Sequence, residues 1–228
     1  MKDIKINRVS KGFTLVEIAI VLMIVGLLMA AFLTPLAAQL QPHSINEARN
    51  DLAEIKEALL GFASVNLSFP CPDVDGNGLA DPCVGAINNV TSTGGNVPWV
   101  TLGTKPIDPW NRRYQYRVNN AFTLAPLTLL TTATAGQLQV CTDNTCAASE
   151  ANSIPVVIYS SGANGAVQPP VGVDELENTV VAGATFNGVF VNHEFAPTTA
   201  ANGEFDDVMD WISTNVLFGR MVAAGQLP

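Results

Sequence analysis

The stretch that decides the fold is residues 11–30, KGFTLVEIAIVLMIVGLLMA. From Phe13 to Leu33 the chain carries one charge, Glu17, in an otherwise apolar run of 21 residues. As a helix the run would be roughly 31 Å long at ~1.5 Å per residue, close to the ~30 Å hydrocarbon core of a bilayer. Lys2, Lys5, Arg8 and Lys11 precede it against Asp3, so the first 12 residues sum to +3, and the rest carry −12 of a net −9. A basic flank predicts a cytoplasmic N-terminus with the remaining chain outside. Two ordinary readings are a secretory signal cut near PLAAQ (35–39), with release at Ala38, and a plain membrane anchor. Neither accounts for Glu17. A carboxylate costs about 2.5–3.5 kcal/mol near a bilayer centre, and less toward an interface.

Downstream, Pro35 and Pro42 each remove a backbone donor and predict a kink or local unwinding. SINEARNDLAEIKEALLGFASVN (44–66) then reads as an amphipathic helix. Ser44 with Glu47 three residues on has the form of a capping box. Ile45, Ala48, Leu52, Ile55, Leu59 and Phe62 recur at helical spacing, a stripe expected to pack on the chain's own globular part. From residue 67 to 228 the composition shifts to Gly, Pro, Asn and Thr with short apolar runs. Residues 123–133, 137–141, 154–161 and 179–192 are the candidate strands. Residues 206–225 read as a terminal helix or strand docked on the core. The fold class expected is α+β. The acidic body argues against tracking nucleic-acid phosphates, which takes a basic surface.

Cys71, Cys83, Cys141 and Cys146 lie beyond the apolar run, on the oxidising side of a membrane. The pairs near in sequence, Cys71–Cys83 and Cys141–Cys146, are favoured, though sequence leaves the other connectivities open. The first would contribute about 3 kcal/mol in the chain-entropy model. The spacings do not suit zinc knuckles. Between the first two cysteines lies DVDGNGLAD (73–81). Asp73, Asp75, Asn77 and Asp81 occupy positions 1, 3, 5 and 9 of an EF-hand-like calcium loop, with Gly78 at position 6. Val84 stands where position 12 would hold a bidentate Glu, and Pro72 and Pro82 argue against flanking helices. The alternative is a plain Asx/Gly turn. His43 and His193 are isolated in sequence. No P-loop, dinucleotide glycine motif, HExxH or G-x-S-x-G is present, so an enzyme is not expected.

The residues KGFTLVE followed by an apolar helix resemble the class III prepilin leader of type IV pilins and type II secretion pseudopilins. The resemblance implies a leader of residues 1–12 removed by a prepilin peptidase. The cut falls between Gly12 and Phe13, and the new amine is methylated. It implies residues 13–34 as a transmembrane and filament-core helix, 35–66 as its amphipathic half, and 67–228 as a periplasmic or extracellular β-rich domain. The pilin-like fold packs that helix on an antiparallel sheet. Glu17 would pair with the cationic amine of Phe13, in its own chain or a neighbour's, setting subunit register and offsetting two buried charges. Snorkelling of Glu17 to the headgroups is the alternative.

DPWNRRYQYRV (108–118) is also similar to the DPWG-x-PYQY segment of major pseudopilins, with Asn111 and Arg113 departing from it. SSGANG (160–165) and DDVMDW (206–211) resemble that family's calcium loop, with Asp206 or Asp207 as the acid, although some forty residues separate them. Core packing is the expected role of Trp110, Tyr114 and Tyr116. The implied function is a structural subunit of a type IV pilus-like or type II secretion filament, serving secretion, adhesion, motility or DNA uptake. Its partners would be other pilins or pseudopilins, the peptidase, an inner-membrane assembly platform and, before assembly, the membrane. Calcium is the candidate cofactor. The alternative is an anchored periplasmic calcium- or ligand-binding module that does not polymerise.

Overall fold

The computed structural model describes Gly12 and residues 14–83, 94–128, 138–165, 172–179 and 187–227, the side chains of 30–41 excepted. Phe13 and the leader up to Lys11 lie outside the described residues. The chain divides into two compact units, Met1–His43 and Ser44–Pro228.

Helix α1 runs from Leu15 to Asn66. It continues through Pro35 and Pro42 without the expected local unwinding. Each proline deprives one carbonyl of its donor, and the helix formers on either side carry the helix on. The expected capping box at Ser44 and Glu47 is not there, because both residues lie inside α1 and no helix begins at them. In the second unit the stripe is real but shifted. Ala48, Leu52, Ile55, Leu59, Leu60 and Ala63 are buried, while Phe62 is only half-buried. The chain leaves α1 through Leu67, at a left-handed φ of 55°.

Four antiparallel strands form the main sheet: β1 (Gly95–Asn96), β2 (Gln115–Val118), β5 (Val156–Ser160) and β7 (Val208–Ile212), in the order β1-β2-β5-β7. A second sheet has the order β4-β3-β6, from β3 (Gln139–Cys141), β4 (Ser149–Asn152) and β6 (Val189–Val191). There β3 pairs antiparallel with β4 but parallel with β6, so the β-structure is not wholly antiparallel. Short helices α2 (Trp99–Leu102) and α3 (Val173–Asn178) lie between strands, and α4 (Thr214–Ala223) closes the described chain. Ser213 caps α4, its hydroxyl accepting from Val216 N.

Two cores flank the main sheet. Val156 and Ile158 of β5 join Tyr116, Ile212 and the α1 stripe on one face; Val157 and Tyr159 join Val140, Ile154 and Phe190 on the other. A strand covered on both faces reads as a continuous apolar run, which is how 154–161 looked in sequence. Residues 137–141 also contain a strand. Residues 123–128 do not, being turn and bend around a cis Ala125–Pro126 bond; residues 129–133 lie outside the described residues. Of 179–192 only Val189–Val191 is strand among the described residues. Residues 206–225, read as a terminal helix or strand, hold one of each, β7 followed by α4. The disulfides are Cys71–Cys83 and Cys141–Cys146.

The packing predicts a contrast. Leu52→Ala, at a site 1% exposed, should cost about 2–5 kcal/mol in urea unfolding of the detergent-solubilised chain. Val65→Ala, at an exposed helix position, should stay within about 0.5 kcal/mol of wild type.

Candidate functional site

The N-terminal site begins at the first helical turn. Thr14 precedes α1, and its hydroxyl accepts from Glu17 N at 3.2 Å. Glu17 Oε2 accepts in return from Thr14 N and from the Thr14 hydroxyl, both at 2.9 Å. This is a capping box, and it satisfies main-chain donors that the helix start leaves unpaired. The T-x-x-E spacing in FTLVE carries that signal. Gly12, just before it, is exposed. Beyond the box, Leu15, Leu22, Met23, Leu27 and Met29 are all exposed. Among the described residues, no helix is long and apolar enough to cross a membrane.

In the second unit the residues of the DPW and SSGANG segments come together. Asp108 is buried, and its Oδ1 accepts from Trp110 N at 3.0 Å and Arg112 N at 2.8 Å. Its Oδ2 accepts from the Ser160 hydroxyl at 2.5 Å. The Arg112 guanidinium donates to the carbonyls of Gly162 and Ala163. Tyr114 and Tyr116 are core, as expected, and Trp110 packs partly buried against it; Tyr116 donates to Pro70 O at 2.9 Å, and Tyr114 to Asp51 Oδ2 at 3.0 Å. Asp51 is a buried acid on the α1 stripe, and Lys105 also pairs with it at 2.6 Å. Burial, reinforced by Asp51, pushes the Tyr114 hydroxyl pKa up.

The loop so held faces three buried carboxylates. Asp206 Oδ2 accepts from Ala163 N at 2.7 Å and Asn164 N at 3.1 Å. Glu175, from α3, accepts from Asp206 N at 2.6 Å and from the Asn164 amide at 2.8 Å. Asp207 Oδ2 accepts from the Asn178 amide at 2.8 Å. One oxygen of each acid lies within 4.8 Å of the others. Gly162 has a φ of 59°, and a Cβ there would sit 2.1 Å from Asp206 Oδ1, so only glycine lets the turn approach the acid.

Desolvation raises the Glu175 carboxyl to about 7, with nearby Asp206 adding to it, and raises Asp207 well above the usual carboxylate range. The Oδ1 atoms of Asp206 and Asp207 are buried with no hydrogen-bond partner among the described residues. Three converging buried carboxylates, two of which carry an unpartnered oxygen, form a donor set that fits a hard cation such as calcium. Glu175 was not among the residues that the sequence singled out; α3 brings it to Asp206 and Asp207 from some thirty residues away. His193 is not isolated either: its Nε2 lies 3.3 Å from Asp174 Oδ2, and its ring stacks on Phe205 at 3.8 Å.

The first acidic loop is assembled as well. Oxygens of Asp73, Asp75 and Asp81 lie within 4.8 Å of one another. Asn77 sits among them, donating to Asp75 Oδ2 at 2.7 Å.

A pH effect follows from the buried acids. A carboxyl whose pKa rises on folding binds its proton more tightly in the folded chain. Its destabilising effect is absent below the unfolded value, 4.5 for Glu175, and grows as pH rises toward about 7. Melting temperature in chelator should therefore fall across this window. A flat profile in chelator would contradict the buried cluster.

Residues 7–33 match the family model of the prokaryotic N-terminal methylation motif. Neither a curated protein nor a solved structure matches the chain. The start of this chain thus carries the prokaryotic N-terminal methylation motif, the class III prepilin leader.

Proposed function

We propose that this chain is a structural subunit of a type IV pilus-like or type II secretion filament. The methylation motif over residues 7–33 carries the reading. A prepilin peptidase cuts between Gly12 and Phe13 and methylates the new amine. The mature chain is held in the inner membrane by its apolar helix, with the second unit on the periplasmic side, until an assembly platform moves it into a filament. The uncovered apolar side chains between Leu15 and Met29 support this, because such a surface needs lipid or neighbouring subunits to cover it.

Glu17 then has two roles. It closes the capping box with Thr14 at the first turn. It also offers an anion to the mature amine, which stabilises both charges once neighbouring helices exclude water. In the second unit, Glu175, Asp206 and Asp207 hold calcium, with the Ser160–Gly165 turn folded over it. The ion satisfies the two orphaned oxygens and stiffens the link between β5 and β7.

Intact mass and terminal sequencing, from cells with and without the peptidase, test the processing. The expected mature chain starts at methylated Phe13 only when the peptidase is present. A start at Met1 or Gln39 in both strains would remove the filament reading. Glu17→Ala should still be cleaved while filament yield falls by about tenfold or more, corresponding to ~1.4 kcal/mol or more of assembly free energy. Wild-type yield in sheared fractions would defeat the charge-pairing role.

A further inference from the structure

We infer that the loop between Cys71 and Cys83 is a second calcium site, separate from the buried triad and independent of the filament reading. The site is built onto the edge of the main sheet. Asp73 pairs with Asn96 of β1 through both backbone bonds, at 3.0 and 2.8 Å. Gly78 O accepts from Val100 N at 2.9 Å and Thr101 N at 3.3 Å, at the start of α2. Gly78 has a φ of 87°, and a Cβ there would lie 2.3 Å from the Trp99 ring. The loop is thereby fixed in place before any ion arrives, which lowers the ordering cost of binding.

Inside the loop, main-chain donors orient the side-chain oxygens. Gly76 N donates to Asp73 Oδ1 at 2.8 Å, and Val74 N to Asp81 Oδ2 at 2.6 Å. Asn77 N donates to Asp75 Oδ1 at 3.0 Å, and Leu79 N to Asn77 Oδ1 at 2.7 Å. Calcium–oxygen distances of about 2.3–2.6 Å place ligands on opposite sides of one ion no more than ~5 Å apart. The three carboxylates fit inside that limit, with their oxygens within 4.8 Å.

The independent sign of a ligand is Asp73. It is 0% exposed, and its Oδ2 is buried with no hydrogen-bond partner among the described residues. A buried carboxylate oxygen without a donor is costly. No ion pair among the described residues reaches Asp73, Asp75 or Asp81. A cation shared by the three acids supplies both the missing partner and the missing charge. All donors are oxygens and the nearby cysteines are bridged, which selects a hard ion; several carboxylates converging from one loop suit calcium better than magnesium.

Trp99 makes the site readable, since its indole lies against Gly78 and can sensitise terbium bound in calcium's place. The full mature chain in detergent is titrated with terbium, with tryptophan excitation, and then with calcium. The expected result is sensitised luminescence that calcium displaces at about 10⁻⁴ to 10⁻³ M, the range of extracellular loops. Asp75 is exposed and outside the core, so Asp75→Ala should keep the fold while weakening this displacement roughly tenfold or more. Trp99→Phe should lower the sensitised signal, leaving only what Trp110 and Trp211 contribute, and leave calcium binding itself intact by calorimetry. Luminescence that calcium does not displace, or that persists unchanged in both variants, would overturn the site.

Discussion

Strand β5 is buried along its whole length, and much of the second unit depends on that double covering. Its side chains alternate between two cores, one closed by the C-terminal half of α1 and the other by the smaller sheet. Burying both faces removes far more apolar area from water than a half-exposed strand does, and the register with β2 and β7 cannot slip without moving every side chain to the wrong core. That rigidity delivers Ser160, at the end of β5, to a fixed place. The Asp108 carboxylate and the turn to Gly165 then build from it.

The acidic cluster shows how a costly arrangement is held. Asp206 is tied by two main-chain amides of the turn, and Glu175 by the Asp206 amide and the Asn164 side chain. These bonds position the carboxylates but do not neutralise them. Arg112, the nearby cation in the network, spends its donors on the carbonyls of Gly162 and Ala163. The fold thus shapes the turn around the acids and leaves their charge to protons or to an ion.

At the N-terminus the same economy appears on a smaller scale. Glu17 sits where a helix start favours an acid, through the capping box and through the positive end of the helix dipole. A residue stabilised locally in this way is also the sole charge in the apolar run. The local role fixes its position along the helix.

Much was legible from residues alone. The prepilin motif, the apolar helix, its amphipathic continuation and the strands at 137–141 and 154–161 are written in local pattern, because each depends on a few neighbours in sequence. The DxDxNG loop was legible for the same reason: its oxygens are set by turns within nine residues. The failures lie where local rules met continuing structure. Ser44 and Glu47 had the spacing of a cap, but a cap forms only where a helix begins, and α1 was already running. The 179–192 stretch looked extended, yet only its last part found a strand to pair with among the described residues.

What the sequence determined by itself was the leader motif, the helix that follows it and the residue types available for cations. Only the tertiary structure decided that Glu175 joins Asp206 and Asp207, that Asp108 and Arg112 hold the opposing turn, and that Asp73 is buried with an unpartnered oxygen. Those facts depend on segments far apart in the chain meeting on either side of β5, and no short-range periodicity encodes where two such segments meet.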